Sequence, residues 1–281
     1  MISHQVQSGL TKVQNIKNII AIASGKGGVG KSTVTANLAG SLSKMGLKVG
    51  ILDADIYGPS QPQIMGAYEK PEMLESKKMK PVVRHGIETM SIGYLVDVQT
   101  PMIWRGPMVS QALQQLLNDT AWGELDVLLL DLPPGTGDIQ LTMCQKIPLA
   151  GAVIVTTPQD LSLIDARRAI GMFKKVSVAI LGLVENMALY HCPACGHEES
   201  IFGAGAAEFI HEHDGVAILG QLPLNKQFRE DADSGCPTTL QQSDNDLVNG
   251  YHTIAEQLLA QLVQQPKNYA AKMPKVVVEN K

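Results

Sequence analysis

The run Gly25-Lys26-Gly27-Gly28-Val29-Gly30-Lys31-Ser32 constrains this chain more than any other eight residues in it. An apolar stretch over 18–24 leads into the run, and residues 31–45 follow with Val34, Leu38, Ala39 and Leu42 at helical spacing until Gly46 ends the pattern. A glycine-rich turn between a buried strand and a helix commits this part of the chain to a β-loop-α unit, because glycine enters left-handed turns without steric cost. The spacing G-x-x-x-x-G-K-[ST] in that setting predicts a phosphate cradle. Backbone N–H groups and the positive end of the helix hold phosphate oxygens, Lys31 reaches the outer phosphates and Ser32 coordinates Mg²⁺.

The same alternation continues along the chain. Apolar runs at 48–53, 126–131, 151–156, 178–184 and 216–222 read as buried strands, and helical patterns cover 108–118, 138–146, 162–174, 205–213 and 245–262. Strands that are apolar nearly throughout, each followed by a crossover helix, predict an α/β fold of three layers. A mostly parallel sheet carries helices on both faces. Ligands in such sheets bind beyond the carboxyl ends of the strands. Residues 64–105 break the rhythm with Pro71, Pro81 and Pro101 and a hairpin near 82–92, and are expected to be an insertion. The organisation predicted is an N-terminal extension (1–17), one nucleotide-binding domain (18–264) with a cysteine loop at about 188–201, and a loosely held tail (265–281).

Charge and cysteine usage narrow the partners. Lysine and arginine number 23 against 27 acidic residues, a net charge of −4 that offers no global attraction for nucleic acid. No apolar run reaches the roughly 18 residues that span a bilayer, so neither a nucleic-acid nor a membrane partner is expected. Four cysteines in 281 residues are too few for a disulfide scaffold and fit a reducing cytoplasm. Cys144 falls in an apolar helix and reads as core, while Cys236 has no assigned role.

Two strand ends carry acids that complete a nucleotide site. Asp131 closes Val127-Leu128-Leu129-Leu130, where a carboxylate beside the loop can hold Mg²⁺, and Asp53 and Asp55 lie just past the second strand, where one can orient an attacking water. Cys192-Pro193-Ala194-Cys195-Gly196 presents two thiolates from one turn. Four-coordinate zinc or an iron–sulfur cluster wants four ligands, so one such pair is half a metal site or else a redox dithiol. His191 and His197 are exposed-loop histidines rather than predicted ligands.

The second lysine of the loop makes a resemblance specific. Lys26-Gly27-Gly28-Val29-Gly30-Lys31-Ser32-Thr33 resembles the deviant Walker A motif of the family that includes the nitrogenase iron protein, the MinD and ParA positioning ATPases and the Mrp/ApbC iron–sulfur carriers. Asp53-Ala54-Asp55-Ile56-Tyr57-Gly58-Pro59-Ser60, the stretch from Asp131 to Asp138, Asn186-Met187 and the Cys192/Cys195 pair place it nearest the Mrp/ApbC branch, over about residues 19–262. The resemblance implies a homodimeric, slow ATP hydrolase with nucleotide at the interface. Residues 25–33 would hold the phosphates, Lys26 would reach the partner's phosphates, and Asp55 would position the hydrolytic water. Asp131 would belong to the second switch, Asn186 would recognise adenine and Pro223 would back the base. Ser32, Asp55 and Asp131 would serve Mg²⁺. Cys192 and Cys195 of both subunits would share a [4Fe–4S] cluster, received from cluster-assembly proteins and passed to apo-proteins. The competing expectation is a MinD/ParA-like positioning ATPase with structural zinc.

Overall fold

In the computed structural model of the chain, which describes residues 1–95, 106–241 and 246–268, strands and helices alternate as the apolar runs predict. The elements are β1 (Ile16–Ala23), α1 (Lys31–Lys44), β2 (Val49–Asp53), α2 (Gln61–Ile64), β3 (Val82–Arg84), β4 (Ile87–Ser91), α3 (Gly106–Asn118), β5 (Leu125–Asp131) and α4 (Asp138–Lys146). They continue with β6 (Gly151–Thr156), α5 (Asp160–Lys175), β7 (Ile180–Glu185), β8 (Tyr190–His191), β9 (Glu198–Glu199), α6 (Ala206–Asp214), β10 (Ile218–Gln221), α7 (Lys226–Asp233) and α8 (Asp246–Gln264).

Eight strands form one sheet in the order β10-β7-β6-β1-β5-β2-β4-β3, parallel throughout except for β3, while β8 and β9 make a separate ribbon. Every residue of β2, β5 and β6 is buried, the signature of strands covered on both faces. The covering helices are α1 packed with α8 on one side and the series α3, α4, α5, α6 on the other. This is the three-layer α/β fold expected from the sequence.

Register brings the chemistry to one end. β5 pairs with β1 and β2 so that Asp131 stands opposite both Ile22 and Asp53. The three neighbouring strands therefore finish level, and the loops leaving them, each carrying a candidate site residue, meet above the same sheet edge. The crossing from β1 to β6 on one side and to β5 on the other makes this the switch point where α/β sheets open a crevice.

Three expectations need amendment. The hairpin predicted near 82–92 is present, but instead of standing apart it extends the main sheet, because β4 pairs in parallel with β2. Apolar Ile87 and Met90 on β4 are completely buried, so the segment belongs to the core rather than to a surface insertion. The N-terminal residues are docked: the backbone N–H of the buried His4 donates to Asn18 Oδ1 and His4 bridges to Lys267, and Gln5 N and Asn268 N close hydrogen bonds of 2.8 and 3.0 Å between the two ends of the described chain. Residues 266–268 are thus held rather than loose. Pro101 and residues 269–281 lie outside the described residues.

Candidate functional site

The glycine loop adopts the geometry that its residues require. Gly28 and Gly30 have φ of +83° and +82°, in the left-handed region. A Cβ on Gly30 would lie 2.3 Å from the Asn186 amide nitrogen, and one on Gly25 would lie 2.0 Å from the Asp165 carbonyl of α5. The loop is therefore clamped between α5 and the end of β7, and only glycine fits at those two points. Helix α1 starts from Gly30 with no capping side chain and no acid in its first turn, which leaves its leading N–H groups for an anion.

Lys31 is buried and its ammonium sits on Asp131 Oδ1 while donating to Ser32 Oγ at 3.3 Å. A cation thus already stands between two of the oxygens assigned to magnesium, so this donor set accepts positive charge at that point. Asp131 is completely buried and takes further hydrogen bonds from Thr35 Oγ1 at 3.2 Å and Gln61 Nε2 at 2.8 Å. A second buried carboxylate, on β2, is surrounded by four donors. Asp53 accepts from the N–H groups of Asp55, Ser60 and Gln61 and from Ser91 Oγ, each at 3.1 Å. Burial, then the neighbouring Asp131 charge, pushes its carboxyl well above the usual range, against the pull of those donors. Asp53 is accordingly a scaffold that fixes the loop after β2, and the half-buried Asp55 is the acid of that loop nearer solvent. Burial raises the Asp55 carboxyl also, and the Lys31 charge opposes the shift.

Remaining loop residues frame the cleft. Lys26 is exposed at the rim of a small cavity of about 110 Å³ formed by Lys26 to Val29 with Thr157, Ser162 and Phe202. The turn after Asp131 lies directly on the loop, with Gly135 N donating to Ser24 O at 2.9 Å. On the other side, Thr33 and Gly30 share a cavity of about 290 Å³ with Asn186, Met187, Pro223 and Phe228. The Asn186 amide nitrogen donates to Val29 O at 2.9 Å, so its Oδ1 is the atom left as an acceptor. Asn186 and Pro223, widely separated in sequence, thus meet at one cavity next to the loop.

The cysteine pair occupies the β8–β9 ribbon. His191 pairs with Glu198, Cys192 N donates to His197 O at 2.9 Å and Gly196 N to Cys192 O at 2.9 Å, a tight turn that Gly196 closes at φ +72°. Cys192 is half-buried and Cys195 exposed. N–H groups of Ala194 and Cys195, followed by the Cys195 thiol, lower the Cys192 thiol from its ordinary value, so the turn eases its ionisation. Among the described residues no three His, Cys, Asp or Glu side chains are grouped to hold a metal ion. His191 instead faces Glu198 at 3.1 Å. Cys144 is buried, and burial pushes its thiol up to about 12, as suits a core residue.

The ribbon is anchored beside the cavity that Asn186 and Pro223 line. Ala188 N donates to Leu222 O and Leu224 N to Leu189 O, at 2.9 and 2.8 Å, and Tyr190 bridges to Leu224. The backbone that carries Asn186 therefore runs into the ribbon while paired along the segment that carries Pro223. Sequence reasoning missed Gln61, Thr35 and Ser91. Thr35 could have been found, since it lies four residues after Lys31 on the same helix face, whereas Gln61 and Ser91 follow no period that points at the loop.

Comparison with known proteins agrees with this geometry. A family model described as ParA, NUBPL iron-transfer P-loop NTPase, matches residues 15–259. The chain is similar to an iron-sulfur cluster carrier protein of Pseudomonas fragi, 52% identical over 254 residues that span 90% of this chain and 88% of the relative. A solved nucleotide-binding protein of Archaeoglobus fulgidus in complex with ADP is 39% identical with a TM-score of 0.72, covering 84% of this chain and 93% of that one. The cell division ATPase MinD of Pyrococcus furiosus shares the fold, with a TM-score of 0.66, 23% identity and coverage of 86% and 98%. On the match to the family model and on the identity to the cluster carrier, this chain belongs to the ParA/NUBPL iron-transfer P-loop NTPase family.

Proposed function

We propose that the chain is an ATP-binding and ATP-hydrolysing homodimer that binds a bridging iron–sulfur cluster through Cys192 and Cys195 of each subunit and transfers it to apo-proteins. The observation that carries this reading is the incomplete donor set. Two thiols on an exposed turn, one of them eased in its ionisation, have no third ligand near them among the described residues, and a cluster wants four. A second copy of the ribbon supplies the other two. Placement of the ribbon on the wall of the base cavity gives nucleotide occupancy a mechanical route to the cluster.

On the nucleotide side, the N–H groups of residues 25–33 and the start of α1 cradle the phosphates, and Lys31 leaves Asp131 to neutralise their outer oxygens. Ser32, Asp55 and Asp131 fit Mg²⁺, which when bound supplies charge stabilisation across the β- and γ-phosphate oxygens. Asp55 orients the attacking water. Lys26, exposed on its own subunit, reaches the phosphates of the other. Asn186 Oδ1 accepts from the exocyclic amine of adenine, an arrangement that disfavours a base with a carbonyl oxygen there, and Pro223 backs the ring. Cluster-assembly proteins are the donors and apo iron–sulfur proteins the recipients. No helix among the described residues is long and apolar enough to cross a membrane.

Anaerobic reconstitution with iron and sulfide, followed by metal and sulfide counting on the native chain and on Cys195→Ala, tests this reading. About four irons and four sulfides per dimer are expected, and none in the variant. Tight zinc without sulfide would overturn it in favour of the positioning-ATPase reading.

A further inference from the structure

Gln61 opens α2 directly after the loop that holds Asp55, and it is completely buried. Its backbone N–H donates to Asp53 Oδ2 at 3.1 Å. Its side-chain nitrogen donates twice, to the Ser32 carbonyl at 3.0 Å and to Asp131 Oδ2 at 2.8 Å. Both partners are acceptors only, so the amide orientation follows from chemistry: nitrogen faces Ser32 and Asp131, and Oε1, on the same carboxamide, is left as the acceptor. One carboxamide therefore ties together the loop after β2, the glycine loop and the acid at the end of β5.

The remaining atom is the informative one. Gln61 Oε1 is buried and has no hydrogen-bond partner, and the adjacent Ser60 Oγ is in the same condition. A buried amide oxygen without a donor is costly and uncommon in folded proteins, and where it persists it calls for an explanation, a bound ion or its water among them. Here the neighbouring chemistry names that partner. Lys31 occupies Asp131 Oδ1 and Ser32 Oγ. When its ammonium moves to phosphate, a hydrated cation must replace it at those oxygens, and waters on such a cation are strong donors.

We propose that Gln61 is a positioning residue for the magnesium–nucleotide complex. Nε2 holds Asp131 in place, and Oε1 accepts a hydrogen bond from a water of the magnesium shell once Lys31 has left Asp131. The role goes beyond the assignment of Ser32, Asp55 and Asp131 and rests on the reading of this site as one for a magnesium nucleotide.

Calorimetric titration of ADP into the native chain, Gln61→Met and Gln61→Glu, each in excess Mg²⁺ and in chelator, separates this role from a structural one. The native chain is expected to bind ADP more tightly with Mg²⁺. Gln61→Met, of similar length but without either polar atom, is expected to lose about tenfold of that tightening, the size of a hydrogen bond to a charged shell, over and above any fall it shows in chelator. Gln61→Glu keeps an acceptor but exchanges the Nε2 donor for a carboxylate beside Asp131, a repulsion that a cation relieves, so it should bind more weakly than native in chelator and be tightened by Mg²⁺ at least as much as native. Full tightening in Gln61→Met, an equal fall of its affinity in both buffers, or loss of tightening in Gln61→Glu would each overturn the proposal. Should Gln61→Met not fold, the Gln61→Glu titration decides alone. A native chain that binds ADP without any effect of Mg²⁺ would remove the magnesium reading itself, which is a different failure from a native effect that Gln61→Met retains.

Discussion

Gly28 and Gly30 allow a controlled perturbation, because they share a backbone conformation and differ only in what surrounds them. Their φ angles are +83° and +82°, so an alanine at either position pays the same left-handed penalty of about 1–2 kcal/mol. Around Gly28 nothing lies within 4 Å of a new Cβ, whereas at Gly30 the Asn186 amide nitrogen would be 2.3 Å away. Relief requires Asn186 to swing off Val29 O, which loses a hydrogen bond and leaves a buried polar group unpaired, together about 2 kcal/mol. Gly28→Ala should therefore destabilise the nucleotide-free protein by about 1–2 kcal/mol and Gly30→Ala by about 3–4 kcal/mol, measured by urea unfolding at pH 7. A double-mutant cycle isolates the contact. In an Asn186→Ala background the clash is gone, and Gly30→Ala should cost no more than Gly28→Ala. Because Asn186 is also the proposed base-reading residue, Gly30→Ala should erode discrimination between ATP and GTP, while Gly28→Ala should leave it intact. Equal costs for the two alanines in the native background, or a Gly30→Ala cost that survives removal of Asn186, would refute the reasoning.

Lys31→Ala removes the counter-charge of the completely buried Asp131, so beyond abolishing ATP binding it should lower stability by about 3 kcal/mol, and Asp131→Asn added to it should restore most of that loss. Retained nucleotide binding in Lys31→Ala, by calorimetry, would contradict the phosphate contact. At Asp126, burial alone would raise the carboxyl, but Lys17 at 2.7 Å and the Lys48 N–H at 3.0 Å outweigh it and hold it at about 2. A depressed carboxyl stabilises the fold above its unfolded value and loses that contribution as pH falls towards its folded value. Asp126→Asn should thus cost about 1–2 kcal/mol at pH 7 and nothing near pH 2, with the difference disappearing between about pH 4 and pH 2. Parallel stability curves for native and variant across that window would show the pair to be inert.

Much of the fold was legible because a parallel sheet buried on both faces leaves uninterrupted apolar runs, and β2, β5 and β6 have little freedom to be anything else. Residues 82–92 were recognisable as a hairpin, yet their incorporation through β4 was not. Strand order is set by which edges find partners, and no local pattern records that the strand carrying Ile87 and Met90 joins the sheet beside β2. The glycine loop was the clearest part of the site, since phosphate binding by backbone N–H groups demands glycine at fixed spacing and leaves a written signature.

Sequence by itself therefore determined the α/β class, the loop of residues 25–32, the acids at the ends of β2 and β5 and the closely spaced pair Cys192 and Cys195, all of them features encoded within a few consecutive residues. Tertiary structure alone decided what those features touch. It put Lys31 on Asp131, aimed one face of Asn186 at Val29 and the other at the cavity beside Pro223, hung the cysteine ribbon on the segment 222–224, and buried Gln61 with its Oε1 unpartnered. Hydrogen bonds between groups 30 to 160 residues apart arise from strand register and loop closure, and these are properties of the assembled sheet rather than of any stretch of chain.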